Sequence, residues 1–244
     1  MFAPIIVKRG SKDEAEKPFW ISYADLMTAL MVLFLVVMSV ALLAVTKTVS
    51  QIEQEKTRRQ EDIAKLLDEV EQAAARYPGV KVDRDRDIID FGDKAHFDKG
   101  SYSLNPDQDR LLRAFVPEVL AIARNDLGRK WLKQVVVEGF ASPEGDYLYN
   151  LNLSLERSQR VLCTLFAPPY SDEKSMTPAE LEQVRDLFLV GGYSFNATKY
   201  DAATKSYDES RRVELRLEFL GIGEARLPAP VLASGNFGKC ALRG

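Results

Sequence analysis

One carboxylate in this sequence stands where a carboxylate is costly. From Trp20 to Val45 the chain reads WISYADLMTALMVLFLVVMSVALLAV, and Asp25 is the only charge in it. About 26 residues at about 1.5 Å each make a helix of about 39 Å, enough to cross a hydrocarbon core of about 30 Å with some tilt. A charged side chain at the centre of a bilayer costs about 2.5–3.5 kcal/mol on insertion scales. Asp25 lies about five residues, or about 7–8 Å, past Trp20, so it sits in one leaflet rather than at the midplane. Desolvation favours the neutral acid, which suits a group that loads and releases a proton, and a carboxylate also suits a small cation. The structural alternative is a permanently protonated acid making an interhelical hydrogen bond. A cleaved signal peptide would have a shorter apolar region ending in a small-residue cleavage site. A soluble core helix would show a polar face, whereas Leu26 to Val45 offers only Thr28 and Ser39.

Other chemistry finds little support. The net charge is -3 and the pI about 5.5, so no global basic field argues for direct contact with nucleic acid. His96 is the only histidine and gives neither a triad nor a metal cluster, so a structural role is expected. Cys163 and Cys240 lack zinc spacing. Both follow the apolar run; if that side is oxidising they can form a disulfide that pins the C-terminal tail, and two buried free thiols are the alternative. Gly191-Gly192 reads as the end of a helix and lacks the context of a phosphate loop. Asp83-Arg84-Asp85-Arg86-Asp87 reads as a solvated turn between strands. No enzyme activity, cofactor or metal is expected.

The elements that must position these residues follow from periodicity. Residues 1–19 form a mixed-charge tail and 20–45 a transmembrane helix. Residues 46–78 read as a helical connector with Val49, Ile52, Ile63, Leu66, Leu67, Val70, Ala73 and Ala74 on one face, either a solvated stalk or paired with a copy of itself. Tyr77-Pro78-Gly79 stops it. Short strands are expected at Val80–Val82 and Ile88–Phe91, and a capped helix opens at Asn105-Pro106-Asp107-Gln108. A buried strand at Gln134–Phe140, a helix over Tyr147–Phe166, a second capped helix from Thr177 to about Leu189 and a last strand at Arg212–Phe219 complete the pattern. Alternating strands and helices imply a compact α/β sandwich of mixed sheet and helices over residues 79–220, with an irregular tail at 221–244. Lysines and arginines flank the span on both sides and do not orient it. A short tail before the span and a large domain after it fit an uncleaved signal-anchor, with the N-terminus cytoplasmic and the domain periplasmic.

Two resemblances add to this. Trp20-Ile21-Ser22-Tyr23-Ala24-Asp25-Leu26-Met27-Thr28-Ala29-Leu30-Met31, followed by Leu33-Phe34-Leu35-Val36, resembles the membrane helix of MotB-type stator subunits. The resemblance implies that Asp25 carries the ion, proton or sodium. It also implies that the chain works as a homodimer inside a ring of MotA/ZorA-like subunits, and that ion passage drives rotation. Residues 80–220 resemble OmpA-like peptidoglycan-binding domains. Their helix signature falls on Asn150, Leu153, Ser154, Arg157, Ser158 and Val161, their strand and loop signature on Val137 to Gly145, and a late Arg-Arg-Val-Glu on Arg211 to Glu214.

That second resemblance implies peptidoglycan as a partner, with a zwitterionic diamino acid of the stem peptide as ligand. Arg157 falls at the family's carboxylate-binding arginine, and a guanidinium suits a carboxylate because its donors form a planar fork. The family's ammonium-binding aspartate is replaced by Ser142, a neutral hydroxyl, with Glu144 and Asp146 beside it. Tyr147 and Tyr149 stand either to stack on the ligand or to pack. The late asparagine is Ser210 here, beside the candidate Arg212. The apolar opening, the YLYNLNLSLERS helix and the cysteine-bearing tail look most like the B subunits of Zorya anti-phage defence motors. A peptidoglycan-anchored stator in the bacterial inner membrane is the implied function; a flagellar stator and a passive tether between membrane and wall are the alternatives.

Overall fold

The computed structural model describes residues 17–171, 173–226, 235 and 237–242. The expected cytoplasmic tail, as far as residue 16, and most of the expected irregular tail beyond residue 226 lie outside the described residues. The chain divides into two compact units, residues 1–56 and 57–244.

In the first unit the sequence is helical from Lys17, the start of α1 (Lys17–Ala74). Among the described residues this is the one helix long and apolar enough to cross a membrane. Its apolar side chains, from Trp20 through Val45, are exposed, as lipid-facing side chains are in an isolated chain. The hydroxyls in this stretch do not need a second chain. Thr28, Ser39 and Thr46 each donate to the carbonyl four residues earlier, at 2.8, 2.7 and 2.8 Å.

In the second unit the last turns of α1 are part of a folded core. Leu66, Leu67, Val70, Ala73 and Ala74 are all buried, so the apolar face expected on a connector is covered within the chain. Polar contacts fix the same turns. Asp62 accepts from the Trp131 indole and the Lys130 ammonium, each at 2.9 Å. Arg59 donates to the Leu220 carbonyl at 2.8 Å.

Beyond it come β1 (Lys81–Asp83), β2 (Ile88–Asp90), a 3-10 turn (Gly92–Ala95), α2 (Pro106–Arg124), α3 (Asp126–Trp131), β3 (Leu132–Gly139), α4 (Tyr147–Phe166), α5 (Pro178–Leu187), β4 (Phe188–Gly192) and β5 (Val213–Phe219). The sheet order is β1-β2-β5-β3-β4, with β3 and β4 parallel and the other pairs antiparallel. This is the α/β sandwich of mixed sheet and helices implied by the OmpA-like resemblance. Asn105 caps α2 in a full capping box with Gln108, and Thr177 does the same for α5 with Glu180.

Two elements differ from expectation. Phe188 to Gly192, read as a helix end, is β4, in register with β3 from Val135↔Phe188 to Gly139↔Gly192. A short apolar run fits a helix or a buried strand equally by period, and here parallel pairing to β3 decides it. The glycines serve contact: a Cβ on Gly192 would meet the Leu155 amide nitrogen at 2.8 Å, so α4 could not approach the strand. The short helix α3 was not expected; Asn125 caps it, its side chain accepting from Gly128 N at 2.6 Å.

Strand alternation sorts the sheet into two faces. Ile89, Val135, Val137, Val213, Leu215 and Leu217 join Leu112, Phe115, Val119, Val161 and Leu165 in the core. The other face is ionic. Glu138 and Glu214 are fully buried or nearly so, Arg216 grips Glu138 with two bonds of 2.6 and 2.9 Å, and Arg212 holds Glu214 at 2.7 Å.

Candidate functional site

In the first unit Asp25 shares a helix face with Ser22, Thr28 and Ala29, three and four residues away. Its carboxylate is exposed and has no hydrogen bond or ion pair to any described residue. It is the one charge on a surface otherwise suited to oil. In a bilayer such a group requires protonation, a cation or another subunit.

In the second unit the residues expected to hold a wall ligand gather where β3 runs into α4, but they divide by exposure. Glu144, Asp146, Tyr147 and Tyr149 are exposed, whereas Ser142, Asn150, Leu153, Arg157 and Arg212 are buried. Asn150 closes the loop: its amide donates to the carbonyls of Glu144 at 3.0 Å and Asp146 at 3.2 Å. Gly145 turns the loop with φ of +99°, a region open to glycine. Leu153 packs into the domain. Tyr147 meets Phe195 edge to face at 5.7 Å, while Tyr149 is 54% exposed.

Arg157 departs from the role its position implies. It is wholly buried. Nε donates to the Ser101 carbonyl at 2.9 Å, Nη1 to Phe140 at 2.8 Å and Nη2 to Asp98 at 3.1 Å. The guanidinium also lies 5.1 Å from the Phe97 ring centre. Burial, with Arg211 nearby, pushes its pKa down to about 10, which leaves it cationic at neutral pH. In this structure the guanidinium ties the 98–101 loop to the sheet and is not presented to solvent. A planar fork that suits a carboxylate suits converging backbone carbonyls equally, a choice the helix signature does not encode.

The solvent-facing charge lies further out. The Ser142 hydroxyl, then the Lys99 and Arg211 cations, hold the Glu144 carboxyl below its ordinary range. Arg211 donates to the Phe97 carbonyl at 2.9 Å and to Asp208 at 2.6 Å. Sequence reasoning missed Arg211, although the adjacent pair Arg211-Arg212 in alternating strand context places two guanidinia on opposite sides. His96 is pushed down, first by burial and then by the Arg211 charge, and stays neutral at neutral pH. Behind α4, Cys163 and Cys240 are joined in a disulfide, with an S–S distance of 2.09 Å, and Phe166 stacks on Phe237 at 4.9 Å.

The family model for membrane MotB of the proton-channel complex MotA/MotB matches residues 7–55. Over 221 residues the chain is 44% identical to Zorya protein ZorB of Escherichia coli O139:H28, covering 90% of this chain and 88% of that one. The chain belongs to the ZorB family. Among solved structures, this ZorB-family chain is similar to the periplasmic domain of Helicobacter pylori MotB, at 15% identity over 60% of this chain and 83% of that one, with a TM-score of 0.39. It is also similar to the cell wall anchor of the T6SS from Pseudomonas aeruginosa, at 19% identity over 62% and 95%, with a TM-score of 0.39. ZorB-family membership and the MotB match agree with a single-pass membrane protein whose one described membrane-length helix carries Asp25.

Proposed function

We propose that the chain is a peptidoglycan-anchored stator subunit of an ion-driven inner-membrane motor serving anti-phage defence, with Asp25 as its ion-carrying carboxylate. Two copies, each contributing one α1, would sit within a ring of MotA/ZorA-like subunits, with the N-terminus cytoplasmic and the 57–244 unit in the periplasm. The reading rests above all on Asp25: the hydroxyls nearby bond back to their own helix, and the carboxylate has no such outlet. A protonated acid crosses a low-dielectric contact far more cheaply than its anion, so alternate protonation couples ion passage to the charge on α1. The disulfide supports a periplasmic domain, since such bonds persist in oxidising compartments.

The wall contact is assigned to the exposed Glu144, Asp146, Tyr147 and Tyr149 around the start of α4, with Asn150 and Arg157 shaping it from behind. The deciding experiment is Asp25→Asn, which keeps size and removes the titratable acid. Phage protection should fall to background while membrane insertion and co-purification with the ring subunit are retained. Retained protection would make the chain a passive tether, and restored swimming in a stator-deleted strain would make it a flagellar stator.

A further inference from the structure

After β5 the chain is fastened to the domain at two places. At the first, Glu224 pairs with Lys133 at 2.6 Å, and Arg226 donates to the carbonyls of Gly128, Arg129 and Leu132. At the second, Cys240 is bonded to Cys163 of α4, and the Phe237 ring stacks on Phe166 at 4.9 Å.

The second attachment is covalent but loosely packed. A cavity of about 500 Å³ lies between tail and helix, its lining including Gln159, Leu162, Phe166, Pro168, Phe237 and Ala241. Packed elements leave few voids larger than a water molecule, so this tail rests on α4 without being part of the domain's interior. Leu162 and Phe166 pack against the hydrophobic core from α4, whereas Phe237 is outside it. Gly238, Lys239, Cys240 and Ala241 are exposed, and Cys163 is half-buried. A thiolate can therefore reach the Cys240 sulfur from solvent, and exposed disulfides are the ones that exchange readily.

We infer that the tail is a redox-controlled strap over the end of α4. Oxidised, it covers Leu162 and Phe166. A dithiol in the surroundings opens it by exchange. One thiolate of the dithiol attacks Cys240 Sγ, forming a mixed disulfide and releasing Cys163 as a thiolate. The second thiolate of the dithiol attacks the mixed disulfide, closes its own disulfide and releases Cys240. Two electrons pass to the cysteine pair, and the two cysteines take up the two protons that the dithiol gives up. The tail then lifts away, and Leu162 and Phe166 meet solvent on the same helix whose first turn carries Tyr147 and Tyr149. The strap depends on the disulfide and not on the ion-carrying reading of Asp25.

Opening the strap leaves the domain folded. A cross-link stabilises chiefly by restricting the unfolded chain. Once it is cut, a loosely packed tail regains freedom in the folded state as well, so most of that difference cancels.

The test follows hydrogen exchange and thermal melting of the full chain in detergent, before and after reduction with dithiothreitol. Exchange in the last turn of α4 and in residues 237–242 should rise by about tenfold, while β3 and β5 keep their protection. The melting midpoint should fall by at most about 4 °C, whereas a cross-link that braced the fold would lower it by about 10 °C. Cys240→Ser, at an exposed position, should show the reduced pattern without reductant and lose all response to it. Unchanged exchange at both ends of the bond, with thiol labelling showing complete reduction, would overturn the strap. So would a fall of about 10 °C with exchange rising throughout the sheet, which would make the disulfide a brace of the whole domain.

Discussion

At the scale of single residues, similar side chains are put to opposite uses by their surroundings. Arg157 and Arg212 are both buried, but Arg157 bonds only to carbonyls whereas Arg212 is paired with the Glu214 carboxylate. Removing Arg157 would take the donors from the carbonyls of Asp98, Ser101 and Phe140 and free the 98–101 loop, so Arg157→Ala should destabilise the domain by about 3 kcal/mol. Arg157→Lys should rescue little, because an ammonium lacks the planar fork. Thermal melts of the full chain followed by circular dichroism check both, and unchanged melting would show that the carbonyls find other donors. Asp90 gives a pH test. Burial alone would raise its pKa, but the Lys199 ammonium and the Gly92 N–H, both at 2.8 Å, reverse this and hold it below the ordinary value. Its stabilisation is therefore complete above about pH 4 and is lost as pH falls through the depressed folded-state value. Melting temperature should drop below about pH 4 in the wild type, and less steeply in Asp90→Asn.

At the scale of elements, α1 is the piece whose role the fold changed most. Its residues beyond Thr57 belong to the second unit, and Leu66 is completely buried there. Leu66→Ala should cost about 2–5 kcal/mol, the range for emptying a core site. A fragment beginning at residue 57 should melt cooperatively, whereas one beginning at residue 79, where the sequence suggests the domain starts, should expose the core and fail to do so. Cooperative melting of the shorter fragment would show that the last turns of α1 are dispensable. Smaller effects belong to the caps: Asn105→Ala should cost about 1 kcal/mol by opening the α2 capping box.

At the scale of the whole molecule, the prediction concerns compartment. In intact cells a membrane-impermeant thiol reagent should fail to label Cys163 or Cys240 until a reductant is added. Labelling without reductant would mean free thiols and would remove one support for a periplasmic domain. Asp25→Asn belongs to this scale too, because on the proposed reading its effect depends on neighbouring membrane subunits rather than on anything inside the 57–244 unit.

By itself the sequence determined what local period and composition can express. The apolar run with a single acid marked α1, Asn105 with Gln108 and Thr177 with Glu180 marked two helix starts, and Tyr147–Phe166 emerged with both ends placed. Tertiary structure decided what depends on partners distant in the chain. Phe188 to Gly192 became a strand because β3 offered a parallel edge, and the last turns of α1 became core because α2 and the sheet left an apolar face for them. The guanidinium of Arg157 turned inward because three carbonyls, from residues 98, 101 and 140, converge on it. Helix period is a property of neighbours; hydrogen-bond satisfaction in a desolvated interior is a property of the assembled chain.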